Sequence, residues 1–216
     1  MVIKAVIFDM DGVLVDSMKY HIKSWIKSFW VYGIPVTEEE IALMEGSNSL
    51  EIIEHFSKKY KVKLTKKDKE KLYSIKTHEF DRGFRFRVYP HAYKLLDLLK
   101  RKGIHRALVT GGNKKLVGKI IRKEFKGYFE AVVTGDDTKK AKPHPEPYLR
   151  GLKKLGFKPS EVIVVENAPL GIKSAKRAKI KNLALCTTLD RKYLRESNKI
   201  FSNHKELLKY FEKLLN

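Results

Sequence analysis

Val2-Ile3-Lys4-Ala5-Val6-Ile7-Phe8-Asp9-Met10-Asp11-Gly12-Val13-Leu14-Val15-Asp16-Ser17 opens the chain and decides how the rest is read. An apolar run, Val2 to Phe8 with Lys4 inside it, stops at two carboxylates spaced i, i+2. Apolar on both faces, it predicts a central strand of a parallel sheet, bounded by the turn at Gly12. Open α/β sheets place ligands just beyond the carboxyl ends of such strands. Asp9 and Asp11 at that edge could hold a metal and supply a nucleophile and an acid/base. The other reading of Asp-x-Asp-Gly is an Asx turn that simply ends the strand.

The chain has 216 residues and 43% hydrophobic content, enough for one core, or one core with a small accessory domain. No apolar run approaches the ~20 residues that span a bilayer, and Met1-Val2-Ile3-Lys4 lacks a secretory layout. The single cysteine, Cys186, excludes an intramolecular disulfide; within Leu183-Ala184-Leu185-Cys186 it reads as an inert core thiol. These features predict a cytoplasmic protein with no membrane partner. Net charge is +21, from 46 Lys+Arg against 25 Asp+Glu. Such charge permits nucleic-acid binding, anionic membranes or steering of phosphorylated substrates. The densest basic cluster runs from Lys58 to Lys69, without zinc spacing, recognition helix or stacking motif. A solvated basic face is therefore expected, and a nucleic-acid partner is not. The absence of Gln and the heavy use of Lys match the surface bias of hyperthermophile proteins.

Two textures divide the chain. From about Met18 to Arg82 everything reads helical: Met18, Ile22, Trp25, Phe29 and Tyr32 form one apolar face, and Gly33-Ile34-Pro35 ends that helix. Thr37-Glu38-Glu39-Glu40 is a capping box opening the next. Leu50–Tyr60 and Asp68–Phe80 are further helices, through Ile52, Ile53, Phe56 and Leu72, Tyr73, Ile75. From Val88 onward strands and helices alternate: helices at 91–102, 113–125, 146–155, 170–178 and 205–215, strands at 104–109, 130–134, 162–165 and 183–186. This predicts a Rossmann-like α/β fold, a parallel sheet covered on both faces, made by residues 1–16 and 83–216, with a helical domain, 17–82, inserted after the first strand.

Other strands also end in residues suited to anions or cations. Thr110-Gly111-Gly112-Asn113 precedes a helix, where a hydroxyl and free N–H groups make an anion site or an ordinary N-cap. Lys142 lies among Pro143, Pro145 and Pro147, which stiffen its loop. Glu166-Asn167 ends the strand Val162–Val165; it could complete an oxygen site for Mg²⁺, or Asn167 could cap the helix near Pro169.

Taken in order, Phe8-Asp9-Met10-Asp11-Gly12-Val13-Leu14, Thr110, Lys142-Pro143 and Glu166-Asn167 resemble the haloacid dehalogenase superfamily of phosphotransferases over essentially the whole chain. Asp16-Ser17-Met18-Lys19-Tyr20-His21 with Trp25, and Val165 to Ile172, are similar to its β-phosphoglucomutase-like branch, which mixes mutases with phosphatases. The resemblance implies that Asp9 is the nucleophile forming an aspartyl-phosphate and that Asp11 is the general acid/base, its carbonyl also on Mg²⁺. It implies that Thr110, the Gly111 N–H and Lys142 bind the phosphoryl oxygens, and that Mg²⁺ is held by Asp9, Asp11, Glu166 and Asn167. Where most members carry Asp at the last of these positions, this chain has Asn167.

The same resemblance makes the insertion a cap that closes on the site, with His21 and the loop Glu45-Gly46-Ser47-Asn48-Ser49 facing the substrate. Mutases of the branch place an Arg in this loop; Asn48 and Ser49 stand there instead. Glu45-Gly46 is similar to members that hydrolyse small phosphate compounds, including pyrophosphate. A Mg²⁺-dependent phosphatase for a small phosphorylated metabolite is expected, able to work as a monomer. The alternatives are a pyrophosphatase, a sugar-phosphate mutase, or a basic nucleic-acid-binding protein on an inactive scaffold.

Overall fold

A computed structural model describes residues 3–215. Val2, with which the quoted stretch begins, lies outside the described residues. The first strand, β1 (Ala5–Phe8), is wholly buried and central. It pairs in parallel with β2 (His105–Val109) on one side and β4 (Val162–Glu166) on the other. β3 (Ala131–Val133) lies outside β2, while β5 (Lys181–Leu185) and β6 (Lys199–Phe201) continue past β4. Every pairing is parallel and the order is β3-β2-β1-β4-β5-β6.

Alternation sorts the strand residues between two cores. Val6, Phe8, Leu108, Ile163, Val165 and Leu183 pack with Leu95, Leu99, Val117 and Phe211. Ala5, Ile7, Val109, Val162 and Val164 pack on the opposite face with Tyr148, Leu152 and Ala175. The first set of helices is α5 (Ala92–Arg101), α6 (Lys114–Glu124) and α9 (His204–Leu214); the second is α7 (Glu146–Leu155) and α8 (Pro169–Arg177). The sheet is covered on both faces, as a continuously apolar central strand requires.

Between β1 and α5 stand α1 (Met18–Trp30), α2 (Glu38–Leu43), α3 (Ser49–Lys59) and α4 (Lys66–Gly83). They share their own core: Ile22, Trp25, Phe29, Ile34, Ile53, Phe56 and Leu72. Thr37 and Glu40 form the reciprocal capping box that starts α2. Leu189, from the loop after β5, is buried in this same cluster. The two chain crossings run side by side: Asp16 N donates to Arg87 O at 2.8 Å, and Tyr89 N to Leu14 O at 2.9 Å.

Some expectations shift. β6 replaces a stretch read as irregular; its three residues are too short for a periodic signal. Tyr73 is 41% exposed rather than part of the apolar face of α4, because Leu72, Lys76 and Phe80 at four-residue spacing take that face. Cys186 falls just past β5 and is half-buried, with burial pushing its thiol pKa up.

Candidate active site

The carboxyl ends of β1, β2 and β4 bring Asp9, Thr110, Glu166 and Asn167 together, all buried, and the loop before α7 delivers Lys142 to them. Lys142 Nζ donates to Asp9 Oδ1 at 2.6 Å and to Glu166 Oε1 at 2.7 Å. Burial alone would lower this lysine's pKa; the Asp9 and Glu166 charges outweigh it and hold the ammonium well above its usual range. Asp9 responds to burial first: despite Lys142, it is pushed up to about 8, with Glu166 and Asp11 adding to the rise. A cation beside Asp9 therefore has a large effect to exert on its ionisation.

Glu166 has no oxygen to spare. Oε1 accepts from Lys142 and from the Tyr148 hydroxyl at 2.6 Å. Oε2 accepts from the N–H groups of Asn167 and Ala168 at 2.9 and 3.2 Å. A Cβ on Gly171 would lie 1.7 Å from Oε1, so glycine there is a condition of the network. The Asn167 side chain does not cap α8, whose N-cap is Ala168. Its Nδ2 donates to Glu45 Oε2 at 2.9 Å and to Thr188 Oγ1 at 3.2 Å. That leaves Asn167 Oδ1 buried without a partner among the described residues, and Glu45 Oε1 likewise.

Orphaned buried oxygens are rare because each forfeits its hydration. Two of them at the strand ends that carry Asp9 suit a hard cation that takes oxygen ligands. Among the described residues no three His, Cys, Asp or Glu groups form a ligand set by themselves. The donors that fit include an amide oxygen, which such a set omits.

Asp11 is oriented from the insertion side. Ser17 Oγ donates to its Oδ1 at 2.5 Å, and His21 Nε2 lies 3.4 Å from the same oxygen. His21 Nδ1 is 3.2 Å from Lys76 Nζ, and its ring stacks on Phe80 at 4.2 Å. An ammonium on Nδ1 fixes the proton of neutral imidazole on Nε2, toward Asp11. Burial and Lys76 hold His21 below its usual pKa; burial brings Lys76 down to about 8. Burial also works against the Asp11 anion, but His21 and Ser17 outweigh it and its pKa lies below the usual value.

Thr110 accepts from Gly112 N at 3.1 Å, folding the turn before α6. Asn113, not Thr110, caps that helix, through Leu116 N. Asn48 uses its Oδ1 to cap α3. Together with Gly46, Thr110, Gly111 and Lys142 it lines a cavity of about 60 Å³ between insertion and sheet edge.

Lys76, Tyr148, Thr188 and Gly171 are site residues that reading the sequence did not find. Lys76 was findable: a lysine between Leu72 and Phe80 at helical spacing interrupts an apolar face. Tyr148 looks like any core aromatic, nothing local marks Thr188, and Gly171 lies in the Val165–Ile172 stretch that carries the resemblance without a role being read for it.

Comparison with known proteins agrees with this architecture. A haloacid dehalogenase-like hydrolase family model matches residues 6–185. The chain is 30% identical to hexitol phosphatase A of Escherichia coli (strain K12), over 89% of this chain and 88% of that protein. It is 28% identical to the pyrophosphatase PpaX of Oceanobacillus iheyensis, over 90% and 89%. A solved structure described as "Putative beta-phosphoglucomutase from Bacteroides vulgatus" superimposes with a TM-score of 0.91 at 36% identity, over 99% of this chain and 89% of that one. No helix among the described residues is long and apolar enough to cross a membrane. With the model spanning β1 through β5, and a near-complete superposition at that identity, the chain belongs to the haloacid dehalogenase-like hydrolase family.

Proposed function

We propose that the protein is a Mg²⁺-dependent phosphatase that releases orthophosphate from a small phosphorylated metabolite through a phosphorylated Asp9. The observation that carries this is the buried Asp9–Lys142–Glu166 chain, set beside an Asp11 held by Ser17 and His21. Asp9 and Asn167 Oδ1, with the Asp11 carbonyl, would hold Mg²⁺, which supplies charge to offset the phosphoryl group. Glu166 supports the site without ligating, because protein donors occupy both its oxygens.

Thr110 Oγ1, the Gly111 N–H and Lys142 Nζ bind the phosphoryl oxygens. Asp9 Oδ1 is engaged by Lys142, so Oδ2 attacks phosphorus while the bond to the leaving oxygen breaks. A phosphate dianion entering beside Asp11 raises that carboxyl's proton affinity, and Asp11 hands the proton to the departing oxygen. Water then attacks the phosphorylated Asp9, its proton going to Asp11; orthophosphate leaves and Asp9 is restored. His21, with Nε2–H toward Asp11, keeps that carboxyl aimed. The insertion acts as the cap, its Glu45 meeting Asn167 and excluding water.

The test is orthophosphate release from a panel of phosphorylated metabolites and pyrophosphate with Mg²⁺, comparing wild type with Asp9→Asn. Release lost in Asp9→Asn supports the reading. The absence of any Asp9-dependent release across the panel overturns it.

A further inference from the structure

Three consecutive residues of the loop after β5 reach three different parts of the molecule. Thr187 Oγ1 donates to Gly12 O at 2.6 Å, in the turn next to Asp11. Thr188 Oγ1 accepts from Asn167 Nδ2 at 3.2 Å. The Leu189 side chain leaves the sheet domain and is 7% exposed among the helices of the insertion. Tyr193 packs on the same core and donates its hydroxyl to Glu39 at the start of α2. By Leu194 the chain has returned to the sheet domain, against Ile172 and Ala184. Among the described residues, Leu189 is the one buried apolar side chain that the sheet domain contributes to the core of the insertion.

The two threonines hold both sides of the Asn167 amide. A Cβ on Gly12 would lie 2.0 Å from Asn167 Nδ2, so the Gly12 backbone lies directly against that amide. Thr187 fixes this wall, and Thr188 and Glu45 take the two hydrogens of Nδ2. With both hydrogens committed, the amide plane is set and Oδ1 with it. At 3.2 Å the Thr188 contact is already at the long end of N–H···O bonds, so a small displacement breaks it. One rigid peptide joins Thr188 to Leu189, and a shift of the second is passed to the first over about 3.8 Å.

Resting on the Mg²⁺ reading of the Asn167 site, we infer that Leu189 is a positioning residue. Seated in the insertion, it holds Thr188 on the Asn167 amide, so that affinity for Mg²⁺ depends on a side chain buried in another part of the fold. Leu189 is apolar and takes no part in binding the cation; it acts through Thr188. The coupling runs both ways: Mg²⁺ that favours the oriented amide also favours the seated insertion.

The experiment measures Mg²⁺ affinity by calorimetry on the full chain without substrate, for wild type, Leu189→Ala, Leu189→Val and Leu189→Met. Leu189→Ala is expected to weaken Mg²⁺ binding by roughly threefold to tenfold, the range of one hydrogen bond. Leu189→Val is expected to fall in between, and serves alone should Leu189→Ala fail to fold. Leu189→Met, which keeps the volume, restores affinity to within about twofold of wild type. Ile53→Ala is the control: it removes as many carbons from the same buried core and has no link to Thr188. It is expected to lower stability while Mg²⁺ affinity stays within about twofold of wild type. In the reciprocal measurement, Mg²⁺ slows amide hydrogen exchange in α2 of wild type, and does so less in Leu189→Ala. Mg²⁺ affinity that ignores the Leu189 variants, an equal loss in Ile53→Ala, or exchange in α2 that ignores Mg²⁺ overturns the inference and leaves the phosphatase reading intact. No Mg²⁺ binding to wild type overturns the cation part of that reading and the inference with it.

Discussion

Glu45, in the loop that roofs the site, accepts a 2.9 Å hydrogen bond from the side-chain amide of Asn167 at the end of β4. This contact turns the Asn167 nitrogen toward the insertion and its Oδ1 the other way, while burial and the nearby Asp9, Glu166 and Asp11 charges raise the Glu45 pKa well above its usual value. Replacing Glu45 with Ala removes the group that sets the amide's orientation. Mg²⁺ binding, followed by calorimetry as well as by the Mg²⁺ dependence of phosphate release, is expected to weaken by up to about tenfold, the scale of one buried hydrogen bond. Thr188→Val is expected to act in the same direction and less strongly, because a hydroxyl is a weaker orienting partner.

On the proposed mechanism, Asp9→Asn keeps the shape of the side chain and removes the proposed nucleophile. Phosphate release is expected to fall by at least about a thousandfold, in line with the removal of a covalent nucleophile. Excess chelator is expected to abolish wild-type activity, and Mg²⁺ to restore it. Full activity in chelator would contradict the oxygen site around Asn167.

A methyl group at position 171 cannot coexist with Glu166 in its present place. Gly171→Ala should break the four hydrogen bonds to that buried carboxylate or displace α8. Equilibrium denaturation is expected to show a loss of at least about 2 kcal/mol, the scale of overpacking a well-filled core. Gly33→Ala serves as a control: its Cβ would meet nothing within 4 Å, so any cost there comes from the positive φ of 66° alone.

Lys76 is brought down to about 8 by burial, and its ammonium faces His21 Nδ1. As pH rises through that value the lysine loses its charge, and the hold on the His21 tautomer weakens. The kcat profile is expected to decline above about pH 8 in wild type. In Lys76→Met that limb should vanish, at a lower plateau. The same limb persisting in Lys76→Met would assign it to another group.

Burial raises the Glu40 carboxyl, but hydrogen bonds from Lys59, Thr37 and Tyr60 outweigh it and bring its pKa to about 2, from 4.5. A depressed carboxylate contributes stability above the unfolded value, and that contribution is lost as pH falls from about 4.5 toward 2. Because Glu40 is half-buried at the surface and its cationic partner Lys59 is exposed, solvent screens the stabilisation and keeps it small. NMR titration is expected to place the Glu40 midpoint near 2, and higher in Tyr60→Phe.

Much of this was readable from residue order. The apolar run before Asp9 specified a central strand because both faces of a parallel sheet are covered, and the Thr37–Glu40 capping box appears as written. Strand ends carrying Thr110 and Glu166-Asn167 could be listed, yet their convergence depends on the register of β1 with β2 and β4, a long-range property. The role of Glu166 shows the limit. Its identity suggested a metal ligand; the Tyr148 hydroxyl and two backbone N–H groups that occupy it come from α7 and from the turn into α8, and no local pattern announces them. Lys76 marks the opposite case, a polar residue on an apolar stripe that a stricter reading of periodicity would have singled out.

The paired crossings Asp16–Arg87 and Leu14–Tyr89 have a consequence for how such a protein changes over generations. Because the chain leaves and re-enters the sheet domain through two hydrogen-bonded neighbours, everything between them is, to the sheet, equivalent to a hairpin turn. A longer or shorter helical block would leave the strand ladder in register, since the sheet needs only the two stems to match, while the contacts of His21 with Asp11, of Glu45 with Asn167 and of the helical core with Leu189 would have to be refitted. Selection can therefore redraft the roof over the reacting groups while the hearth beneath it, with Asp9 and Lys142, stays the same.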